Sequence, residues 1–498
     1  MSLTTQNKRR LNQWLSDESF YSPSLLNNEK KIIIQARKNA LSLFHAAAKR
    51  VPAYKDFLHK NGIQPATITT IEDFCHVPVT TKENYIIQYD IKSRTWDGSF
   101  KDVTIISTSS GTTGDPHLWP RNLSHEIDGA HAHELIFRDT FGLKNKSVLF
   151  INGFALGNWI AGTFTQMAVQ LVAWKGYNVT LMSPGYVLEE VLSVVRQNKD
   201  AFDEIIISGH IPFLKEVVEV IKEQALIGKA NVRLLGTGQA ITERLRDHLG
   251  EQLGNRNQET IVNLYGSADA ALMGWESALT INMRKVMSKN VKLKEIIVKK
   301  NRLPALFVFD PRLTFIEAVD GELHITKDAG CPLVRYNIHD EGGVVGYSTM
   351  IKHFDFTSFP DFKNNLSNAW KLPFVYLFGR DKFMVKIYGA NIYSEHVDHV
   401  LNHESLQEYI TGRFTMEVVD DDAGNSLFLC HVELMRKQEP DKSLTSLIRE
   451  TFVRELIAIN KEYEYVSNHV GEKTHPKIML YKHGDPKKFP RKKVIKNA

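Results

Sequence analysis

The sequence of 498 residues contains little cysteine. Its three cysteines, Cys75, Cys331 and Cys430, lie far apart along the chain. This spacing excludes a disulfide framework and a zinc site built from several cysteines. The N-terminal segment also lacks the apolar core of a secretory signal peptide. We therefore expect a protein of the reducing cytoplasm.

The sequence also lacks a large excess of charge of either sign. The formal net charge is +5 and the basic residues are spread along the chain, which favours neither nucleic acid nor an anionic membrane as a partner. One stretch, residues 147–174, has no charged side chain and is long enough to span a bilayer. It also contains three glycines and several asparagines and glutamines, which lipid would penalise. We expect a buried strand, a turn and a core helix there, and no membrane span.

The hydrophobic pattern predicts an α/β fold with two domains. After a helical first hundred residues, short apolar runs such as "SVLFIN", "EIIIS" and "VRLLG" alternate with amphipathic segments, which predicts mixed or largely parallel sheets covered by helices. After about residue 300 the runs become shorter and are separated by turn residues, which indicates a small antiparallel or barrel-like part. We expect this large domain to end at residue 381. A hinge would join it to a small α+β domain at residues 382–498.

Three glycine-containing turns, "SSGTTG", "GTGQA" and "YGSAD", follow predicted strands. The carboxyl ends of parallel strands are where ligands gather in such sheets. The stretch "STSSGTTGDP" holds six hydroxyl residues and two glycines in ten positions, and the backbone N–H groups of such a loop can cradle phosphate. It lacks the Gly-Lys-Ser/Thr of a P-loop, and "GTGQAI" lacks the third glycine of a dinucleotide fingerprint. Taken alone, the loop is equally well explained as a polar surface turn.

The order of these segments resembles the adenylate-forming enzymes, the acyl and aryl-CoA synthetases, and most closely their phenylacetate-CoA ligase-like branch. The resemblance covers essentially the whole chain. The phosphate loop of that family resembles "STSSGTTGDP", and its adenine-side turn resembles "LLGTGQAIT". Its Tyr-Gly-x-Thr-Glu and Arg-Tyr-x-x-Gly-Asp motifs resemble "NLYGSAD" and "PLVRYNIHDEGGVV". Its hinge segment resembles "FGRDKFMVKIYGANIYSEHVD".

The resemblance implies that residues 1–381 bind ATP and the acyl group and that residues 382–498 form a mobile domain. The ATP phosphates would lie in the phosphate loop, formed by Thr108, Ser109, Ser110, Gly111, Thr112, Thr113 and Gly114. The adenine side of the site would be formed by Gly236, Gly238, Gln239, Tyr265, Gly266 and Ser267. Asp340 would accept hydrogen bonds from both ribose hydroxyls, and Arg380 would contact the ribose or a phosphate.

Catalysis and domain movement are assigned by the same resemblance. Thr113 and Asp269 would take part in the reaction, and Asp269 would help to hold Mg²⁺. Lys382 matches the hinge position, and Gly389 would lie near the tunnel through which the thiol arrives. In the tail "HGDPKKFPRKKVIKNA", Lys488 fits the spacing of the catalytic lysine and Lys492 is a close rival. The alternative is that both belong to a solvated basic tail.

The implied reaction joins a small carboxylic acid to coenzyme A. The carboxylate attacks the α-phosphorus of ATP to give an acyl-adenylate and pyrophosphate, and a thiol then displaces AMP. Two alternatives remain open: transfer of the acyl group to an amine or to the thiol of a carrier protein, and a nucleotide-binding homologue impaired in catalysis. Phe154, Trp159 and His210 are candidate residues of the acyl pocket, where aromatic rings suit a flat or apolar acid.

A histidine series offers a possible metal site. His396, His399 and His403 have a spacing that places them on one face of a predicted helix. No fourth ligand is evident in the sequence, so we favour ordinary surface and core histidines over a metal site.

The sequence departs from the family pattern at four positions. Ala268 replaces a threonine, Asp269 a glutamate and His339 a glycine, and Asp115 stands where relatives carry lysine. A carboxylate beside the triphosphate would cost binding energy. We expect the side chain of Asp115 to point away from the phosphates, because Pro116 fixes the chain immediately afterwards.

An outward-pointing carboxylate predicts that Asp115→Lys leaves both the affinity for ATP and the rate of adenylation within about twofold of the wild type. Calorimetric titration with ATP and pyrophosphate exchange would measure the two quantities. A gain of about tenfold or more in either would show instead that Asp115 faces the nucleotide.

Overall fold

The fold is described from a computed structural model of the chain. It describes residues 3–18, 21–109, 117–238, 241, 243–255, 258–299, 303–354, 369–379, 384–401, 403–406, 408–421, 425–435 and 438–489. The described residues form two compact units. Residues 3–109 and 118–379 belong to the first, and residues 384–489, with His117, belong to the second.

The first unit opens with four helices, the second of which packs against the strands between residues 314 and 345. They are α1 Leu3–Leu15, α2 Glu29–Arg50, α3 Pro52–Lys60 and α4 Ile71–Phe74. The side chain of Asn28 accepts a hydrogen bond from the backbone N–H of Lys31 and so caps the start of α2. Pro52 ends the run and begins α3, because proline is tolerated only in the first turn of a helix.

One sheet of 11 strands organises the first unit, with the order β10-β11-β12-β13-β9-β8-β7-β6-β5-β3-β4. A separate pair is formed by β1 Val103–Ser109 and β2 His117–Asn122. The strands of the large sheet are β3 Val148–Asn152, β4 Val179–Met182, β5 Glu204–His210, β6 Asn231–Thr237, β7 Ile261–Ser267, β8 Ala271–Trp275, β9 Ala305–Val308, β10 Thr314–Val319, β11 Glu322–Lys327, β12 Leu333–Val345 and β13 Phe374–Gly379.

The direction of the strands changes along this sheet. Strands β3 to β7 pair in parallel, as the alternation of strands and helices predicted. From β7 onward the pairing is antiparallel, so the antiparallel strands expected after residue 300 continue the same sheet. The helices of this region are α5 Leu123–Leu135, α6 Ile160–Trp174, α7 Leu188–Asn198, α8 Ile211–Glu223, α9 Glu243–Gln252, α10 Ala278–Ser288, α11 Val291–Val298 and α12 Tyr347–Ile351.

The uncharged stretch at residues 147–174 folds as expected, into strand β3, a turn and helix α6. Across the ranges that the structure describes, every helix is too short or too polar to cross a membrane.

Helix α5 lies inside the first unit and is buried along its length, although it carries several charged residues. Its acidic groups are paired with cations from other elements. Asp128 forms an ion pair with Arg10 of α1 at 2.5 Å, and Glu134 forms one with Lys175 at 2.8 Å. A buried charge is tolerated only when it is paired and hydrogen-bonded, so α1 and the residue after α6 are required to bury this helix.

The second unit is built from two small sheets and three helices in the described part of the chain. Its strands are β14 Met384–Ile387, β15 Ala390–Tyr393, β16 Ile410–Asp420, β17 Ser426–Leu434 and β18 Lys477–Tyr481. Its helices are α13 Ser394–Leu401, α14 Lys442–Ile459 and α15 Lys461–Val470. Strands β16 and β17 pair antiparallel and β17 and β18 pair in parallel. Phe428 of β17 packs against Phe452 of α14 in its core, with ring centroids 5.7 Å apart.

A buried carboxylate ties β7 to two helices of the first unit. Glu276, which follows β8, is 1% exposed. It accepts hydrogen bonds from Arg246 of α9 at 2.8 Å, from Arg284 of α10 at 3.4 Å and from the backbone N–H of Asn263 at 2.9 Å. Both guanidinium groups are buried as well, and they also pair with Glu243, Arg246 at 3.0 Å and Arg284 at 2.8 Å. The loss of Glu276 would therefore leave two buried cations to share one carboxylate.

We expect Glu276→Gln to lower the free energy of unfolding by about 3 kcal/mol, because removing one partner of a buried ion pair leaves uncompensated charge. Unfolding in urea would measure the change. The control is Asp247→Asn, because Asp247 of α9 pairs with Lys285 of α10 at 2.9 Å and its side chain is 61% exposed. That variant should lose about 0.5 kcal/mol or less, and equal losses in the two variants would contradict the prediction.

Candidate active site

The carboxyl ends of β6 and β7 lie side by side. Gly236 of β6 pairs with Asn263 of β7, and Thr237 Oγ1 donates a hydrogen bond to the carbonyl of Leu264 at 3.0 Å. The predicted adenine-side turn therefore follows β6 directly, at the edge of the sheet where β7 also ends.

The two described glycines of that turn allow β6 to pass close to the start of α8. A Cβ atom at Gly236 would lie 2.2 Å from Ile211 Cδ1, and one at Gly238 would lie 2.5 Å from His210 Nδ1. Gly238 also has a φ of +98°, which favours glycine. A side chain at either position would therefore displace His210 or Ile211.

His210 belongs to a cluster of aromatic rings. Its ring centroid lies 5.8 Å from that of Phe154 and 6.3 Å from that of Tyr186. The ring centroids of Tyr186 and Phe213 are 4.4 Å apart. Two of the three residues predicted for the acyl pocket, Phe154 and His210, are thus neighbours. Tyr186 and Phe213 complete the cluster and were not among the predicted pocket residues.

Trp159, the third predicted pocket residue, is positioned by the backbone of the phosphate-loop strand. Residues Thr108 and Trp159 form an isolated parallel β-bridge, and the backbone N–H of Thr108 donates to the carbonyl of Asn158 at 2.9 Å. The end of strand β1, where the predicted phosphate loop begins, is therefore fixed to the turn that precedes α6.

Two crossed tyrosine–aspartate hydrogen bonds connect β12 to the β7–β8 hairpin. Tyr265 of β7 donates to Asp340 Oδ2 of β12 at 2.7 Å, and Tyr336 of β12 donates to Asp269 Oδ2 in the hairpin turn at 2.6 Å. All four side chains are buried. The structure thus brings together Tyr265, Asp269 and Asp340, three of the residues that the sequence singled out.

The turn that carries Asp269 is shaped by its neighbours. The side-chain oxygen of Ser267 accepts a hydrogen bond from the backbone N–H of Ala270 at 3.2 Å. A Cβ atom at Gly266 would lie 2.8 Å from the carbonyl oxygen of Ala271, so this strand pairing requires glycine there. These contacts fix the backbone on both sides of Asp269.

Tyr336 is the residue of this site that sequence reasoning did not single out. It lies within the "RYNIHD" segment four positions before Asp340, and its ring packs edge-on against Trp119 at 6.2 Å. Tyr336 and Asp340 are four positions apart, so the alternation of a strand already places both side chains on one face. What the sequence does not show is that the hydroxyl of Tyr336 meets Asp269.

His339 keeps a backbone conformation that glycine would adopt without strain. Its φ is +58°, and its backbone N–H donates to Asn337 Oδ1 at 2.7 Å. The imidazole is 50% exposed and lies within 4 Å of the carboxylates of Glu83, at 3.9 Å, and Glu322, at 3.8 Å. The conformation that places Asp340 is therefore kept although histidine replaces the glycine of the family pattern.

Buried ionisable groups surround the hairpin turn from the side of α5. The Nε2 atom of His125 lies 3.4 Å from the carbonyl of Ala270, and burial holds the pKa of this histidine well below its usual value. Arg121 faces Glu126 at 3.4 Å, and burial raises the pKa of Glu126 to about 7. Arg121 therefore already faces a carboxyl group.

Asp269 has the donor chemistry that Mg²⁺ requires. Mg²⁺ in nucleotide sites is held by one or two carboxylates, substrate phosphates and water. The hydrogen bond from Tyr336 is to Oδ2 of Asp269, which orients the carboxylate. The described residues contain no group of three or more His, Cys, Asp or Glu side chains that could hold a metal ion, so most ligands would come from the phosphates and water.

Lys488 lies in the second unit, beside a carboxylate. Its Nζ atom is 2.9 Å from Glu417 Oε1 and 3.1 Å from His431 Nε2. Hydrogen bonds from Lys488 and His431 lower the pKa of Glu417.

The predicted histidine series falls in and after α13. His396 is buried, with its Nδ1 atom 3.0 Å from Asn460 Nδ2. The Nδ1 atom of His403 lies 2.9 Å from Ser405 Oγ. The side chain of His399 is not among those described.

Several predicted site residues fall outside the described residues. These are Ser110, Gly111, Thr112, Thr113, Gly114, Gln239, Arg380, Lys382 and Lys492. Ser109 ends strand β1, and its side chain is not among those described.

No family model and no curated protein sequence matches the chain. Solved structures do resemble it in fold, which confirms the predicted fold class. Several of them are structures of 2-hydroxyisobutyryl-CoA ligase. Its complex with 2-HIB-AMP and CoA in the thioesterification state has a TM-score of 0.60 at 14% identity, over 99% of this chain and 89% of that chain.

Two further structures of that ligase give the same result. The postadenylation state in complex with R3-HIB-AMP has a TM-score of 0.52 at 14% identity, over 94% of this chain and 89% of that chain. An open conformation in complex with 2-HIB-AMP and CoA has a TM-score of 0.51 at 14% identity, over 94% of this chain and 90% of that chain. At this identity the likeness establishes the fold alone.

We expect Tyr265→Phe to lower the free energy of unfolding by about 2 kcal/mol, because a buried carboxylate loses a charge-assisted hydrogen bond. Unfolding in urea would measure it. Tyr89→Phe is the control, since Tyr89 donates to Asp56 Oδ2 at the same distance of 2.7 Å and the side chain of Asp56 is 46% exposed. The control should lose clearly less, because water replaces the lost donor. A loss as large as in Tyr265→Phe would show that the crossed bonds do not hold the hairpin.

Proposed function

We propose that the protein activates a small carboxylic acid with ATP to an acyl-adenylate and transfers the acyl group to coenzyme A. The observation that carries this proposal is the convergence of Tyr265, Asp269 and Asp340 through the crossed hydrogen bonds. It is supported by the fold, which is shared with 2-hydroxyisobutyryl-CoA ligase, a protein solved in complex with 2-HIB-AMP and CoA.

Asp340 and Tyr265 are proposed to bind the nucleoside. A carboxylate can accept hydrogen bonds from two neighbouring hydroxyls, which suits Asp340 to a ribose. Tyr265 already stacks on Phe307, with centroids 5.7 Å apart and planes at 24°, so its ring is held in one orientation. A fixed ring next to the end of β6 suits adenine.

Asp269 is proposed to hold Mg²⁺, which would neutralise charge on the phosphates as pyrophosphate leaves. By the family resemblance, the phosphate loop would supply backbone and hydroxyl donors to the same phosphate oxygens. This loop consists of Thr108, Ser109, Ser110, Gly111, Thr112, Thr113 and Gly114. Groups that neutralise developing charge are the main source of catalysis in such reactions, because an anion attacks an anion.

The acyl group is proposed to lie beside the aromatic cluster of Phe154, Tyr186, His210 and Phe213. Apolar walls with a few polar groups are typical of sites for small molecules. The hydroxyl of Tyr186 and the imidazole of His210 supply polarity among rings that are otherwise apolar. The cluster suits a compact acid with a flat or apolar body.

Lys488 is proposed to stabilise the adenylation step from the second unit, with Lys492 as the alternative. The second unit is proposed to move about Lys382 between the two half-reactions, because adenylation and thioester formation require different groups at one site. We also propose that the protein works in the reducing cytoplasm, since its cysteines are free.

The test is carboxylate-dependent exchange of pyrophosphate into ATP over a panel of aryl, branched and fatty acids, followed by addition of coenzyme A. We expect exchange with at least one acid and a thioester afterwards. Lys488→Ala should lower the exchange rate by about 100-fold while thioester formation from supplied acyl-adenylate is retained, and Lys492→Ala should have little effect.

Each other outcome identifies an alternative. Exchange without a coenzyme A thioester would favour an amine or a carrier-protein thiol as acceptor. ATP binding without exchange for any acid would indicate an impaired homologue, as Asp115 and Ala268 suggest. If Lys492→Ala lowers exchange and Lys488→Ala does not, the assignment of the lysine is wrong.

A further inference from the structure

Three charged or ionisable groups meet on one face of the sheet in the second unit. Glu417 of β16 and His431 of β17 are diagonal neighbours, because His431 pairs with Thr415 and Glu417 pairs with Leu429. The Oε1 atom of Glu417 lies 2.6 Å from His431 Nε2 and 2.9 Å from Lys488 Nζ. A single carboxylate oxygen thus accepts hydrogen bonds from both a histidine and the lysine.

His431 also contacts the third strand of this sheet. Its Nδ1 atom lies 3.0 Å from the hydroxyl of Tyr481 in β18, and the ammonium of Lys488 stands 3.1 Å from its Nε2 atom. The imidazole therefore lies beside the ammonium that Glu417 holds, and Tyr481 orients its ring.

The backbone at Lys488 is fixed as well. The N–H of Gly484 donates to Glu433 Oε1 at 2.8 Å, and Asp485 Oδ1 accepts from the N–H of Lys488 at 2.9 Å. Phe489 is 2% exposed, and its ring packs edge-on against Tyr481 at 5.8 Å. The main chain is therefore held before and after the lysine, and only its flexible side chain remains to be oriented.

We propose that Glu417 and His431 are positioning residues that hold the ammonium of Lys488 ready for the adenylation step. This inference rests on the proposed function and on Lys488 as the lysine that serves it. An ammonium group has three N–H donors, so donation to Glu417 leaves others for an oxygen of the substrate. A lysine side chain loses considerable rotamer freedom when it is fixed, and a contact that fixes it beforehand removes this cost from the reaction.

Glu417, His431 and Lys488 belong to the same compact unit. Their contacts would therefore be kept in any movement of that unit. Glu417 and His431 are distinct from the residues that the family resemblance assigns to the nucleotide. Their loss should therefore change the rate of adenylation and leave substrate affinity unaltered.

The main test is Glu417→Gln, which keeps the shape and removes the charge of a side chain that is 45% exposed. We expect kcat for pyrophosphate exchange to fall about tenfold, with KM for ATP and for the acid unchanged. Thioester formation from supplied acyl-adenylate should keep its wild-type rate. Glu417→Asp should recover part of the loss, and Glu417→Gln should cause no further loss in a protein that already carries Lys488→Ala.

The matched control is Glu439→Gln. Glu439 also pairs with a lysine of the same tail, Lys482, at 2.7 Å, and both side chains are about two-thirds exposed. This variant should leave both half-reactions unchanged. An equal loss in Glu439→Gln would mean that only the net charge of the unit matters, which would overturn the inference.

A second measurement follows the contact without turnover. The intact protein is treated with an amine-reactive label, then digested, and the labelled peptides are quantified by mass spectrometry. The label should modify Lys488 severalfold faster in Glu417→Gln and in His431→Gln than in the wild type. The labelling rate of Lys482 should stay constant in both. Unchanged labelling of Lys488 would overturn the proposed contact even if one variant lost activity by misfolding.

The outcomes separate this inference from the proposed function. A wild-type protein without acid-dependent exchange would overturn the proposed function and this inference with it. Active wild-type protein in which Glu417→Gln has no effect, slows both half-reactions equally, or adds its full loss to that of Lys488→Ala would overturn the inference alone.

Discussion

The candidate site depends on the two buried tyrosine–aspartate hydrogen bonds between β12 and the β7–β8 hairpin. Each bond joins residues about seventy positions apart in sequence, at separations of 75 and 67 residues. A buried carboxylate is costly without such a partner, so each aspartate is held by the tyrosine of the other element. The pair of bonds therefore sets the register between the central parallel strands and the antiparallel strands, and the candidate nucleotide site lies where the two meet.

The predictable part of the fold follows from periodicity. Parallel strands alternating with amphipathic helices were visible in the sequence because β3, β5 and β6 are continuous apolar runs. The burial of helix α5 was not visible in the sequence, because "LSHEIDGAHAHEL" has the polar composition of a surface helix. It is buried only because Arg10 and Lys175, distant in sequence, neutralise Asp128 and Glu134. Pairing between distant charges leaves no local signal.

Motif order located the candidate site better than it explained its residues. Gly236 and Gly238 are predicted to lie on the adenine side of the site, and their missing Cβ atoms make room for Ile211 and His210 of the same chain. Tyr336 had no assigned role, although it orients Asp269. Sequence patterns show which residue types recur at a site, whereas the atoms that each one contacts depend on tertiary packing.

The structure gives the same physical explanation for the departures from the family pattern at Asp269 and His339. The aspartate is shorter than the glutamate of the family pattern, and the hydroxyl of Tyr336 meets it at 2.6 Å, so the shorter acid has a fixed orientation. His339 adopts a φ of +58° that favours glycine, and the strain is borne by a strand that Asn337 and the bond from Tyr265 to Asp340 hold in place. Each carboxylate is therefore held in one place by a tyrosine of the other element. The positive φ of His339 belongs to the same arrangement, because this residue directly precedes Asp340.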